Sequence, residues 1–437
     1  MALRPFSAPA QMLFSRALPG RGRPSGRSRF PIVFDLSRLL SRAYFTTPTG
    51  IDRVEFAYAF ELLKRVPDRL RFSAVHPAGG YYGRLEIGAV RQFLAFTQAR
   101  WQNPGQDEAE VRAQAIRHLF ALRPRAVPEA LGQRVYIQAS PHHLENGKMV
   151  RSILQAERAR FINLVHDVIP LTHPEFARLG GAAEHARRIR TIDAFADGII
   201  GNSQSTLDAL AEHLTPREGR IMRVAHLGCE WSDEPPIAPA TTPLSDRPYF
   251  ICIATIEPRK NHLLLLNVWR RLVEQLGDAA PRLILIGRRG WENENVIDIL
   301  ERSTVLQGHV IEEAEVDDRR LAQLLAGARA ALLPSFAEGY GMPVAEALAA
   351  GVPVIASDIE SLREVGQDVP EYLDPIDGLG WLAMITEYAR PDSGRRAAQF
   401  DRMLGWSPVG WDRHISTVLE VVDTLNERRM KKPGEQP

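Results

Sequence analysis

The chain has 437 residues, 45% hydrophobic and 24% charged, with 54 basic side chains against 53 acidic ones and a formal net charge of +1. That length gives room for two α/β domains of ordinary size, and the near balance of charge argues against wholesale nucleic-acid binding. Two cysteines, Cys229 and Cys252, make neither a disulfide framework nor a zinc site and fit a reducing cytosol.

No uninterrupted apolar stretch reaches the ~18 residues of a membrane-spanning helix. Residues 1–29 hold several arginines among Ser, Pro and Gly, with no acid. They read as a basic disordered tail, with peripheral lipid contact as the functional rival.

From Pro31 the pattern changes. Pro-Ile-Val-Phe-Asp-Leu opens a strand, and a loop ending in Pro48-Thr49-Gly50 leads to a helix through Asp52 to Leu63. Gly50 at a helix start lets backbone N–H groups approach a phosphate, although many such glycines only make the turn. Further strands are expected at 71–75, 134–138, 161–165 and 198–201, with helical patterns between them. Residues 84–125 are polar and carry no assignable chemistry. After the second of these strands, His142 and His143 stand in an edge loop that faces either an acceptor or solvent.

Leu164-Val-His-Asp-Val-Ile-Pro places His166 and Asp167 just past a buried strand. A histidine there can donate to a sugar hydroxyl or to charge developing near an anomeric carbon. The structural alternative has Asp167 capping the next segment and His166 satisfying a backbone carbonyl. In Gly201-Asn-Ser-Gln-Ser-Thr, Ser203 or Ser205 caps the following helix.

These elements form a first domain over 30–232, followed by a Pro/Ala/Thr/Ser linker at 233–248 and a second domain over 249–405. In the second, strands at 249–255, 282–287, 305–309, 330–334, 353–356 and near Tyr372 alternate with helices, as in a parallel doubly wound sheet. Arg259 and Lys260 lie at a helix start after its first strand, a placement that suits a leaving diphosphate. Pro343 can start and Gly351 stop a further helix, framed by Glu338 and Glu346. The amides of residues 340–344, beside Gly339 and Gly341, would then face an anionic or hydroxyl-rich ligand. Trp406 and Trp411 precede an apolar helical pattern at 415–425 within a terminal segment, 406–437.

Glu338-Gly-Tyr-Gly-Met-Pro-Val-Ala-Glu-Ala resembles the Glu-x7-Glu signature of retaining nucleotide-sugar glycosyltransferases of family 4, the glycosyl transferases group 1 set. Gly-Val-Pro-Val-Ile-Ala-Ser at 351–357, the Glu-Pro-Arg-Lys-Asn loop and His166-Asp-Val-Ile-Pro resemble the same family. The resemblance implies a GT-B fold, α/β with two doubly wound, Rossmann-like domains facing a central cleft, and a terminal helix returning to the first domain. It implies that Glu346 holds the donor ribose, that Glu338 and His166 line the donor sugar, and that Arg259 and Lys260 bind its phosphates. Gly50, with Ile51 and Arg53, would face the diphosphate; Gly308 and Val310 would seat the base; and Gly339, Tyr340, Gly341 and Met342 would border the donor.

The implied reaction is retaining transfer of a hexosyl group, with mannose from GDP-mannose the first choice and UDP-sugars next. The acceptor is expected to be a saccharide, lipid-linked, in bacterial surface polysaccharide synthesis, and the enzyme cytoplasmic or peripheral at the inner membrane face. The chain has no Asp-x-Asp pair, so no cofactor and no obligatory metal are expected. The alternatives are a GT-B nucleotide-sugar epimerase and a catalytically silent nucleotide-sugar-binding module.

Overall fold

The computed structural model describes residues 30–102, 107–129, 132–229, 247–314 and 316–430. The tail expected over 1–29, and the linker as far as residue 246, lie outside the described residues.

The first sheet comprises β1 (Ile32–Asp35), β2 (Leu70–Val75), β3 (Tyr82–Leu85), β4 (Arg134–Gln138), β5 (Ala159–Val165), β6 (Ala196–Gly201) and β7 (Ile221–Val224), in the order β3-β2-β1-β4-β5-β6-β7. All neighbours are parallel except β2 and β3. The second comprises β8 (Tyr249–Ile253), β9 (Arg282–Ile286), β10 (Val310–Glu313), β11 (Ala331–Leu333), β12 (Val354–Ser357) and β13 (Glu371–Leu373), all parallel, in the order β10-β9-β8-β11-β12-β13. Helices cover both faces, so the strands read as unbroken apolar runs: in β1, Phe34 packs into one core cluster and Val33 into another.

Strand order reverses between β1 and β4 and again between β8 and β11. At such points the loops leaving adjacent strands diverge and leave a crevice at the carboxyl edge. The loops that matter are therefore those following β1, β4, β8 and β11.

The β1 loop is held by its own charges. The helix Gly50–Arg65 starts with a capping box in which Thr49 and Asp52 satisfy each other's backbone amides, and Arg38 and Arg42 pair with the buried Asp52 at 2.6 and 3.1 Å. The helix Trp411–Met430 packs on this element: His414 Nε2 meets the Tyr58 hydroxyl at 2.6 Å and Arg69 pairs with Asp423 at 3.2 Å. The two tryptophans divide the crossing between them. Trp406 Nε1 donates to the Val365 carbonyl of the second domain, whereas Trp411 fills the space above Gly228 in the first.

Three strand assignments differ from the sequence reading. The strand expected at 305–309 begins only at Val310: Thr304–Leu306 form a 3-10 turn, and Gly308 turns with φ +77°. The true strand, Val-Ile-Glu-Glu, is a half-exposed edge whose glutamates hide its character. Two short edge strands were not expected. β3 is Tyr-Gly-Arg-Leu, held by an Arg84–Glu157 ion pair, and β7 is Ile-Met-Arg-Val.

Candidate active site between the two sheets

The loop after β8 turns through Pro258–Lys260 and stops at Asn261 in the left-handed region, φ 56°. Asn261 Nδ2 donates to the carbonyls of Pro334 at 3.0 Å and Pro375 at 2.8 Å, tying this loop to the one leaving β11. Arg259 and Lys260 thereby meet Glu338 across the switch point. Arg259 Nη1 donates to Glu338 Oε2 at 2.7 Å, Lys260 Nζ donates to Oε1 at 2.5 Å, and Ser335 Oγ donates to Oε1 at 2.7 Å.

Burial alone raises the Glu338 pKa, but Lys260 and Arg259, with hydrogen bonds from Lys260 and Ser335, bring it down to about 2. Burial likewise opposes the Arg259 charge, yet Glu338, Glu257 and Asp167 outweigh it and raise its pKa. The second carboxylate, Glu257, lies 2.7 Å from Arg259. Both cations are thus already compensated by buried carboxylates, so an anion binding here would exchange with Glu338 and leave neither cation bare.

The helix Met342–Ala349 follows, with Glu346 half-buried in its second turn. Of the amide row expected at 340–344, the Val344 N–H is taken by the Gly341 carbonyl at 2.9 Å. The Tyr340 side chain is buried, and its hydroxyl donates to the Leu227 carbonyl at 3.2 Å. Met342, half-buried, packs against the core cluster. Gly341, at φ +103°, leaves no room for a side chain, since a Cβ would lie 2.4 Å from Leu362 Cδ2.

Gly339 joins the domains. A Cβ there would sit 2.1 Å from the His166 carbonyl oxygen, and its own carbonyl accepts from Ser203 Oγ at 2.6 Å and Thr206 Oγ1 at 3.0 Å. Ser203 also caps the helix Gln204–Ala211, so one side chain serves both the helix start and the cleft. Two further contacts close the cleft. Phe176 stacks on Phe336 with centroids 5.5 Å apart, and Arg288 Nη2 donates to Thr47 Oγ1 at 2.7 Å.

His166 lies at the carboxyl end of β5, at the same edge. Its Nε2 N–H donates to the Ala139 carbonyl at 2.7 Å, which leaves Nδ1 as an acceptor. Burial lowers its pKa and Arg38 adds to that effect, against the Ala139 bond and Asp167. Nε2 is thus taken by a backbone carbonyl, the structural alternative for His166, and in this tautomer Nδ1 is left as an acceptor. Asp167 Oδ1 takes the Ile169 amide at 3.2 Å, as the structural alternative anticipated.

Gly50 opens its helix beneath free space, with nothing within 4 Å of the Cβ position. Gly308 and Val310 are not brought to the site. They precede and begin β10, at the amino end of a parallel sheet whose ligand edge lies past Glu313. The placement failed because the strand expected at 305–309 put its end where the real strand begins.

Sequence reading also missed a buried acidic pair under the β1 loop. Asp35 accepts from Tyr136 Oη at 2.6 Å and from Ser37 Oγ at 2.9 Å, and Glu55 Oε1 accepts the Leu39 amide at 3.0 Å. Burial, then the Asp35 charge, pushes Glu55 up to about 8, and burial raises Asp35 as well. Asp35, at the end of a strand, was within reach of sequence reasoning. Glu55, inside an apolar helix, gave no signal.

Residues 234–369 match the family model described as "Glycosyl transferases group 1". The chain carries that family's sequence pattern over this segment. It is a glycosyltransferase. Over 405 residues it is 29% identical to the O-antigen chain mannosyltransferase B of Escherichia coli, covering 86% of this chain and 96% of that one. It is 27% identical to the serotype-specific mannosyltransferase WbdA of the same organism over 394 residues, where it spans 44% of the relative's length. Among solved structures, Anabaena HepE in complex with UDP-glucose superposes with TM-score 0.56 at 14% identity, covering 91% of the glycosyltransferase and 99% of HepE. The sucrose-phosphate synthase of Thermosynechococcus elongatus gives TM-score 0.59 at 16% identity, covering 92% and 100%. These likenesses carry the GT-B fold. Among the described residues no helix is long and apolar enough to cross a membrane, and no group of three or more His, Cys, Asp or Glu side chains could hold a metal ion.

Proposed function

We propose that the enzyme transfers a mannosyl residue from GDP-mannose, with retention of configuration, to a lipid-linked saccharide in bacterial surface polysaccharide synthesis. The observation that carries this reading is the Arg259–Glu338–Lys260 cluster at the β8/β11 switch point, next to Gly339, which packs on the His166 carbonyl. Arg259 and Lys260 stabilise charge on the departing diphosphate, and losing one such donor costs on the order of 100- to 1,000-fold in rate. Glu346 holds the ribose, Glu338 the donor sugar, and His166 accepts from a sugar hydroxyl through Nδ1. The leaving phosphate assists deprotonation of the acceptor on the same face. The choice of mannose draws on the mannosyltransferases named among the relatives and on the His166-Asp-Val-Ile-Pro segment.

No divalent ion enters this scheme, and turnover in excess EDTA tests that. Reaction on a lipid-linked acceptor brings the protein to the inner membrane face. The deciding experiment is thermal stabilisation by GDP, UDP, ADP and their sugars, with Glu346→Ala as control, followed by the anomeric configuration of the product. Selective stabilisation by GDP-mannose, lost in the variant, is expected; stabilisation by UDP-sugars alone refutes the donor. Conversion of the sugar nucleotide without acceptor makes the protein an epimerase.

A further inference from the structure

The helix Gln204–Ala211 of the first domain starts at the domain boundary, and its own sequence puts no acid in its first turn. The amides at a helix start lack intrahelical partners, and the helix dipole favours a negative charge beside them. Ser203 accounts for one of them by taking the Thr206 amide at 3.0 Å. The two before it are taken from across the boundary. Glu364, on the second-domain helix Glu360–Gly366, accepts the Gln204 amide on both carboxylate oxygens at 2.8 Å and the Ser205 amide on Oε2 at 3.4 Å. The first domain's helix is thus capped by a carboxylate of the second.

Glu364 is tied to the first domain a second time. His226 Nε2 donates to its Oε1 at 2.6 Å, and the His226 carbonyl accepts at 2.9 Å from His414 Nδ1, on the helix Trp411–Met430. Burial works against the Glu364 charge, yet the bonds from His226 and from the Gln204 amide outweigh it and lower its pKa.

The elements that Glu364 joins also hold the turn that follows Glu338. At the start of the capped helix, the Ser203 and Thr206 hydroxyls donate to the Gly339 carbonyl. The His226 ring lies against the Tyr340 ring with centroids 5.8 Å apart. Leu362, two residues before Glu364, fills the space at Gly341. Gly339, Tyr340 and Gly341 are therefore each held by a different one of these three elements.

We propose that Glu364 is a positioning residue for sugar transfer: it fixes the helix Gln204–Ala211 and His226 against the second domain, and through them the Gly339–Gly341 turn and the adjoining Glu338 carboxylate. This rests on the reading above that this turn borders the donor. Glu364 acts without touching substrate, through hydrogen bonds to a charged group that are stronger than those between neutral ones.

The test compares E364Q, T206V and E364Q/T206V with the parent as full chains, each assayed well below its melting temperature with the sugar nucleotide that stabilises the parent. Gln keeps the size of Glu364 without its charge, and Val keeps the shape of Thr206 without the hydroxyl on Gly339. E364Q should lower kcat/KM about tenfold, the order expected for losing hydrogen bonds to a charged group, mainly through a raised donor KM. The double variant should be little worse than the poorer single one, because both losses loosen one chain of contacts. T206S, which restores the hydroxyl, should recover what T206V loses. Without any ligand, hydrogen exchange in E364Q should quicken at 203–207 and at 336–342 together. A lowered melting temperature with an unchanged donor KM overturns the proposal and leaves Glu364 a structural cap, as do single effects that multiply in the double variant. If E364Q does not fold, T206V decides alone, and parental kinetics in it overturn the proposal. If no sugar nucleotide stabilises the parent, the donor reading fails, and exchange then decides separately: 336–342 unaffected by E364Q overturns the positioning role as well.

Discussion

Replacing Glu338 by Gln separates two roles that the geometry gives this carboxylate. Its pKa falls from 4.5 to about 2, a differential stabilisation of the charged form of about 3 kcal/mol. Because the folded pKa is depressed, this contribution is present above pH 4.5 and is lost as pH falls toward 2. Glu338→Gln also leaves Arg259 and Lys260, both mostly buried, facing each other without their shared anion. The variant should therefore be destabilised by about 2 to 3 kcal/mol at pH 7, and the gap should narrow as pH falls below 4.5. A nucleoside diphosphate no longer has to displace a carboxylate from the two cations, so GDP should bind the variant more tightly than the parent and restore much of its stability. Turnover should fall. Urea unfolding at pH 7 and pH 4, with and without GDP, reads these terms, and single-turnover transfer reads the last. A variant as stable as the parent at pH 7, or one that binds GDP more weakly, would refute the account of Glu338 as a placeholder for the donor anion.

Three other substitutions test separate parts of the cleft. Gly339→Ala places a methyl 2.1 Å from the His166 carbonyl and should cost about 1 to 3 kcal/mol through overpacking, read as a lower melting temperature together with a raised donor KM; an unaltered KM would show that the domains do not meet there. Phe176→Ala removes the stack on Phe336, worth roughly 0.5 to 1.5 kcal/mol beyond its buried area, and should lower kcat/KM while Phe176→Tyr restores it; equal kinetics in both variants would reject the contact. Glu55, pushed up to about 8, makes the parent less stable as pH rises from 4.5 through about 8, since over that range the folded state binds the extra proton. Glu55→Gln should flatten that decline, and urea midpoints at pH 5, 7 and 9 whose difference from the parent does not change with pH would dispose of the idea.

The second domain was readable because its strands are buried on both faces and end in distinctive turns: Glu257-Pro-Arg-Lys-Asn and Glu338-Gly-Tyr-Gly each follow an unbroken apolar run. Position on a parallel strand then carries position at the sheet edge, which is why the turns bearing Arg259, Lys260 and Glu338 were legible as edge loops, whereas the ion pairs among the three were not. The same logic misplaced Gly308 and Val310, because Thr-Val-Leu-Gln has strand-like composition while the real strand contains two glutamates on a half-exposed edge. What periodicity does not encode is the direction of a hydrogen bond. Nothing in His166-Asp167 discloses that Nε2 will be consumed by Ala139, a carbonyl 27 residues earlier. Nor does the pattern of the Gly50–Arg65 helix reveal that Asp52 and Glu55 face inward, since their burial follows from partners on β1 and its loop.

The buried polar groups of the first domain converge on a common consequence. Asp35 and Glu55 are both buried, and the Ser37 hydroxyl and Leu39 amide bind them, so the backbone leaving β1 is fixed from below. Arg38 and Arg42, on the short helix Ser37–Ser41 and at its end, then hold Asp52 and the start of the Gly50–Arg65 helix. Its open N-terminus is positioned by side chains none of which has to touch a ligand. Satisfied buried networks of this kind rigidify what they surround, whereas losing one member strands the others in low dielectric. The cleft is thus built unequally. The first domain presents an edge fixed by its own charges, and the second presents two cations whose shared partner, Glu338, is on the proposed reading displaced by the donor. Donor binding should accordingly reorganise the loop after β11 far more than the loop after β1, a difference that hydrogen exchange with and without nucleotide can resolve segment by segment.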